Sequence, residues 1–320
     1  MRVFVTGMGG ELGTRVAHLL EDRVDVSDIL GIDDDPPRRR LARAAFTRVD
    51  FRDRRRLVSV VEDFDPQVMV HLGVMEPHAR FTPGVALRGT NQVALAVLGA
   101  AARCPSLTKL VVRSGLEVYG RPRGAPFRPD ESIPPQPTSP FGQALLNVER
   151  TATHAGLAAG VPVTILRFAS LVGPHFPSPL GRLLRLPLVP VSLTGDLPFS
   201  VLHQEDAATA VMAALDAGFD GPVNVVNPGV ITASQAARLG GRVGVPLWGP
   251  GWRGAQLVAE LLSAPLPAHI RELLVRGRTA DGTLAARALG FAPTRATRQV
   301  VEMLYEWAEV TYLPVREEAA

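Results

Sequence analysis

A short apolar strand that runs straight into a glycine-rich turn constrains this chain more than any other feature. Arg2-Val3-Phe4-Val5-Thr6 reads as a strand, and Gly7-Met8-Gly9-Gly10-Glu11-Leu12-Gly13 follows at once. Leu12, Val16, Leu19 and Leu20 then repeat at helical spacing. Gly7, Gly10 and Gly13 give a G-x-x-G-x-x-G pattern. Gly7 permits the tight turn, Gly10 lets a pyrophosphate approach the backbone, and Gly13 lets the helix pack close to the strand. The helix that begins with Glu11 and Leu12 offers unpaired N–H groups and positive potential at its start. The alternative reading is a glycine-rich turn with no ligand.

Asp33 favours the ligand. It stands 20 residues beyond Gly13, at the end of the second strand. A carboxylate there accepts both hydroxyls of an adenosine ribose and repels a 2′-phosphate, which points to NAD rather than NADP. Asp34 and Asp35 reinforce that sign, and Arg38, Arg39 and Arg40 oppose it. Asp50 and Phe51, after the third strand, are expected to flank the adenine. His71, Leu72 and Gly73, after the fourth, are expected to line the cofactor.

Further along, strand and helix patterns alternate. Strands are expected at Asp28–Ile32, Phe46–Val49, Gln67–Leu72, Leu107–Val112, Val161–Phe168 and Pro222–Val226. Helices are expected near Leu57–Phe64, Val85–Arg103, Phe141–Gly160 and Glu205–Ala217, then at about 232–240, 255–275, 281–289 and 295–309. Residues 120–140 hold seven prolines and read as an ordered loop. The fold class is therefore α/β: a Rossmann-like, doubly wound parallel sheet with a smaller, mostly helical C-terminal substrate lobe. The expected division is 1–170 for the dinucleotide-binding domain, completed by about 196–228. The lobe takes 171–195 and 229–312, and 313–320 form a tail.

Composition closes off several function classes. One cysteine makes no internal disulfide, and the seven histidines are scattered without H-E-x-x-H or C-x-x-C, so no metal site is expected. A net charge of +3 over 320 residues is weak support for nucleic-acid binding, and aromatic stripes for single strands are absent. No run of 18 apolar residues exists and no targeting segment is visible, so a cytoplasmic protein away from membranes is the expectation. Of the 34 basic residues only Lys109 is a lysine, and the tyrosines are Tyr119, Tyr305 and Tyr312.

Beyond the glycine turn the chain resembles the extended short-chain dehydrogenase/reductases of the NAD-dependent epimerase/dehydratase type. The resemblance is carried by Val70-His71-Leu72-Gly73, Gly89-Thr90-Asn91, Ser114 to Gly120, Arg167-Phe168, Val172-Gly173-Pro174, Leu202 to Ala207 and Leu289 to Pro293. It runs in order over about residues 1–310. It implies a Tyr-x-x-x-Lys pair on the helix after the fifth strand and a Ser or Thr at that strand's end. In this chain Phe141 takes the Tyr position, Leu145 the Lys position and Gly115 the Ser/Thr position. The resemblance also implies a homodimer through helices at about 86–103 and 142–159.

Three residues are candidate replacements for the proton donor: Ser114, His78 and Glu117. Ser114 is expected to point to the far side of its strand. Glu76, His78 and Arg80 have the competing reading of a solvated loop, and Glu117 that of a rim carboxylate. Arg113 either binds an anionic ligand or pairs with a nearby acid, and His203 reads as a buried helix-capping histidine. Three functions follow: an NAD-binding protein with lost or much reduced oxidoreductase activity; a divergent NAD-dependent oxidoreductase or epimerase acting on a hydroxyl or carbonyl substrate such as a nucleotide sugar or steroid-like alcohol; and a structural subunit with an empty cleft.

Overall fold

The computed structural model describes residues 1–77, 81–122, 124–174, 176–261 and 266–306. The first half runs β1 (Arg2–Thr6), α1 (Glu11–Glu21), β2 (Asp28–Asp33), β3 (Ala45–Arg48), α2 (Arg54–Phe64), β4 (Val68–His71) and α3 (Pro83–Ala101). Next come β5 (Lys109–Gly115), a 3-10 turn (Leu116–Tyr119), α4 (Pro140–Ala159), β6 (Val163–Phe168), β7 (Ser170–Val172), α5 (Pro179–Leu184) and β8 (Leu188–Ser192). The chain continues with β9 (Val201–His203), α6 (Gln204–Asp216), β10 (Gly221–Val225), α7 (Ala233–Leu239) and β11 (Val243–Leu247). Helices α8 (Gly251–Leu261), α9 (Ala268–Arg276), α10 (Thr283–Leu289) and α11 (Thr297–Glu306) complete it.

Seven strands form one sheet in the order β10-β6-β5-β4-β1-β2-β3, and every pairing is parallel. β4 and β6 are buried along their whole length, as strands covered by helices on both faces must be. That is why Val68-Met69-Val70 and Ile165-Leu166 show no alternation of apolar and polar residues. From β1 the chain winds outward to β2 and β3, then returns to β4 and winds the other way. The direction reverses between β1 and β4, which opens a crevice beyond their carboxyl ends.

Local signals set the helix that borders this crevice. The Pro-rich loop ends at Ser139, whose hydroxyl accepts from the Gly142 N–H, and Pro140 opens α4. Gly160 closes it at φ 67°, a left-handed conformation suited to glycine. α3 and α4, the helices of the expected dimer contact, pack on one another and leave Leu95 and Leu157 60% and 76% exposed.

In the C-terminal half the short elements β7, α5, β8 and β9 were not expected, and two further differences stand out. Residues 255–275 do not form one helix. α8 ends at Leu261 and α9 begins after Pro267, which fits the start of a helix but not its interior. β8 and β11 pair as a separate parallel ribbon, and β11 was not anticipated. Its sequence, Val-Gly-Val-Pro-Leu, has a proline that only an edge strand tolerates, so pattern alone argued against it. Leu180, Leu183, Phe199, Leu273 and Val300 are fully buried in the cluster that unites this half. No described helix is long and apolar enough to cross a membrane. The tail expected from about 313 lies outside the described residues.

Candidate functional site

The glycine turn is held by close backbone contact. Gly7 has φ 75°, and its N–H donates to the Ile32 carbonyl at 2.9 Å. A Cβ on Gly7 would lie 2.8 Å from the Leu72 carbonyl carbon, and one on Gly13 would lie 2.0 Å from the Gly7 oxygen. These two glycines let the ends of β1 and β4 and the start of α1 converge. Gly10 is the N-cap of α1 and places no side chain over the helix start, so the first N–H groups of α1 remain available to an anion. Gly9, not singled out from the sequence, is as constrained: a Cβ there would lie 1.9 Å from the Asp35 carbonyl oxygen.

Above the turn lies a groove of about 240 Å³, lined by Gly7, Gly10, Glu11, Leu12, Gly13, Asp33, Phe51, Leu72 and Gly73 among others. The Asp33 carboxylate accepts from the N–H groups of Gly9 at 3.0 Å and Asp34 at 2.7 Å. Burial nevertheless pushes its pKa up, against the pull of those backbone bonds. A carboxylate in that state gains from further hydroxyl donors. Open N–H groups, glycines where a Cβ would clash and a desolvated carboxylate together fit the adenosine and pyrophosphate half of a dinucleotide.

Asp50 does not line this groove. Its carboxylate turns outward onto the Arg52 side chain at 2.6 Å, which holds its pKa down at about 2. The expectation that Asp50 flanks the adenine is therefore corrected, because a chelating arginine two residues away captures it. Phe51 alone faces the groove, and the Arg52 guanidinium sits 5.7 Å from its ring centroid.

At the other end, successive residues of β5 diverge as a strand requires. The Ser114 hydroxyl donates to Glu149 Oε1 at 2.6 Å. Glu149 also accepts two bonds from Arg167, at 2.9 and 2.8 Å, and Arg167 donates to the Tyr119 hydroxyl at 2.9 Å. Tyr119 donates in turn to Asn224 Oδ1 at 2.8 Å. Burial opposes the Arg167 charge, but Glu149 outweighs it and the guanidinium's pKa is raised. Ser114 is thus committed to a buried structural network.

Gly115 faces the opposite side. A Cβ there would lie 2.3 Å from Glu117 Oε2 and 3.1 Å from Leu145 Cδ1. Glu117 is not a rim carboxylate: it is 6% exposed, and Oε1 accepts from Arg278 at 2.8 Å. The solvated-loop reading fails for Glu76 as well. Its Oε1 lies 3.0 Å from Nε2 of His269, a residue 1% exposed. The His269 ring packs on Phe141 with centroids 4.6 Å apart. His78 and Arg80 lie outside the described residues. A small inner pocket adjoins the groove here, sharing Glu76 and Arg113 with it and walled by Phe141, Leu145, Phe168 and Leu171.

Sequence reasoning missed His269 and Arg278 because nothing near either residue marks it. The lysine sits elsewhere: Lys109 opens β5, at the end of the sheet remote from the crevice, with its ammonium on the Leu215 and Ala217 carbonyls. His203 caps α6, accepting from the Glu205 N–H at 3.3 Å. Among the described residues, no three His, Cys, Asp or Glu side chains gather as a metal would need.

A parallel sheet with a glycine turn, an open helix start and a strand-end carboxylate at its switch point defines a dinucleotide-binding α/β protein. Residues 3–229 match the NAD dependent epimerase/dehydratase family, and the chain belongs to that family. An uncharacterized protein of Mycobacterium tuberculosis is 32% identical over 311 residues, covering 92% of this chain and 81% of that one. The UDP-glucose 4-epimerase of Azospirillum brasilense is 31% identical over 189 residues, 57% of this chain and 51% of that protein. A UDP-glucuronic acid 4-epimerase from Bacillus cereus, solved with UDP-glucuronic acid and NAD, has the same fold. Its TM-score is 0.74 at 19% identity, covering 96% of this chain and 98% of that one.

Proposed function

We propose that the groove binds NAD and that tyrosine-dependent hydride transfer is lost or much reduced. The carrying observation is the wall formed by Phe141, Leu145 and Gly115, with the Glu117 carboxylate held by Arg278 in the space beside Gly115. Asp33 would accept the adenosine ribose hydroxyls, and the start of α1 would hold the pyrophosphate. When bound, the nicotinamide supplies or takes up a hydride. The chain must then move a proton at the reacting oxygen.

In this reading Phe141 stands where the family places its tyrosine and has no titratable proton. Leu145 stands where the lysine belongs and has no charge. Lys109 is at the wrong end of β5, and Ser114 is bonded to Glu149. Loss of one such donor costs about a hundredfold or more in rate, and losses of several are not additive. One contact favours the second reading, a divergent oxidoreductase: Glu76, hydrogen-bonded to His269 beside Phe141, is a carboxylate at the inner end of the groove.

Fluorescence titration and single-turnover absorbance test both readings. NADH is expected to bind about tenfold or more tightly than NADPH, and Asp33→Asn to narrow that gap. Bound NADH is expected to persist when mixed with carbonyl compounds, including 4-keto sugar nucleotides. Equal or tighter NADPH binding overturns the cofactor choice. Rapid oxidation that Glu76→Gln abolishes overturns the inactive reading and establishes a rewired enzyme.

A further inference from the structure

We infer that Arg113 and Ser170 form a binding site for a small carboxylate where the inner pocket meets the groove. The inference rests on the reading above only in taking this as the inner end of a dinucleotide groove. Arg113 lies near the carboxyl end of β5 and lines both cavities. Among the described residues its guanidinium makes no hydrogen bond and no ion pair. Burial weakens its hold on the proton, and the fields of Glu76 and Glu117 partly restore it.

Both carboxylates are engaged elsewhere, Glu117 with Arg278 at 2.8 Å and Glu76 with His269 at 3.0 Å. They temper the charge of Arg113 without occupying its donors. A half-buried guanidinium with open donors favours an anionic partner, and its planar fork matches the two oxygens of a carboxylate. A second group points the same way. Ser170 Oγ lines the inner pocket, is buried, and has no hydrogen-bond partner. Both residues line the inner pocket, so a carboxylate there would offer an acceptor to each.

Size and polarity narrow the ligand further. The inner pocket has about 20 Å³ of accessible space, room for a group the size of one water molecule or slightly more. That admits a carboxylate head and excludes a pyranose ring. The apolar walls of Phe141, Leu145, Phe168 and Leu171 lower the local polarity on one side of Arg113, which strengthens a charge-assisted bond there. The remainder of the ligand extends past Glu76 into the groove.

Calorimetry on the full chain, with and without NADH, tests the site using propionate and its neutral isostere propionamide. Propionate is expected to give saturable binding and propionamide none. Arg113→Met is expected to weaken propionate about tenfold or more, with Arg113→Lys intermediate. Ser170→Ala is expected to weaken it severalfold, while Arg103→Met, at an exposed pair with Glu62, leaves it unchanged. Thermal melts identify variants that fold as the parent does. Equal binding of propionamide, no propionate binding by the parent chain, or unchanged affinity in folded Arg113→Met or Ser170→Ala overturns the inference. Propionate binding without NADH binding overturns the dinucleotide reading alone. NADH binding without propionate binding overturns the carboxylate site alone.

Discussion

At the outer end of the groove, Gly7 to Gly13 and Asp33 belong to one strand-helix-strand unit, and their contacts are largely with backbone. At the inner end, Glu76, Arg113, Glu117, His269 and Arg278 come from separate segments and meet through side chains. The Glu76–His269 contact spans 193 residues and the Glu117–Arg278 contact 161. The outer end is a main-chain cradle that one added methyl group would spoil. The inner end is a set of charges, partly or fully buried, in which Glu76 and Glu117 each depend on a distant partner beside Arg113, unpaired among the described residues. A backbone cradle tolerates change in the surrounding side chains, whereas a buried charge set changes its chemistry whenever one member is replaced.

The comparison can be broken most forcefully at the network behind the inner end. Glu149→Ala leaves Arg167 and Ser114 without their shared acceptor in a site where Glu149 is 5% exposed. The expected loss is about 3–5 kcal/mol of stability, the cost of an uncompensated buried charge. Urea unfolding measures it, and a loss under about 1 kcal/mol would show that the network is not a structural anchor.

His71, at the end of β4, is fully buried and, contrary to expectation, does not line the groove, but it gives a pH-dependent test. Its Nδ1 is hydrogen-bonded with the Thr6 hydroxyl at 2.8 Å, Nε2 is buried without a partner, and burial lowers its pKa to about 4, with Arg113 adding to the effect. The unfolded chain takes up this proton near pH 6.5 and the folded chain does not. The stability contribution is therefore complete above about pH 6.5 and falls as pH drops toward 4, by about 3 kcal/mol in all. Melting profiles of the parent chain and His71→Asn, compared between these limits, measure the difference. Parallel profiles would remove His71 as the cause.

The smallest stability effect is expected at the cradle. Gly13→Ala forces a methyl group into the Gly7 carbonyl and should cost about 1–3 kcal/mol. Its sharper signature is loss of NADH binding with the inner pocket's affinity for propionate retained. Loss of both together would mean that the two ends are one cooperative site.

What could be read from the sequence follows the same division. The parallel sheet, its crevice and the phosphate turn were legible because the glycines, the strand before them and Asp33 sit at spacings that local geometry dictates. Phe51 faces the groove and Asp50 does not, since Arg52 decides the direction of that carboxylate. Ser114 was expected to face away from Gly115, and strand alternation delivers that. Solvent was one of two readings open for Glu76 and Glu117, yet each pairs with a distant residue, His269 and Arg278. The sequence by itself determined where a phosphate chain can approach this backbone, because steric allowance at a glycine is a property of adjacent residues. Only the tertiary structure decided which charges share the inner end, because a buried ion pair forms between whichever side chains the packing of α9 and the segment after it brings against the loop after β4 and the turn after β5. Neither partner carries a local mark of the other.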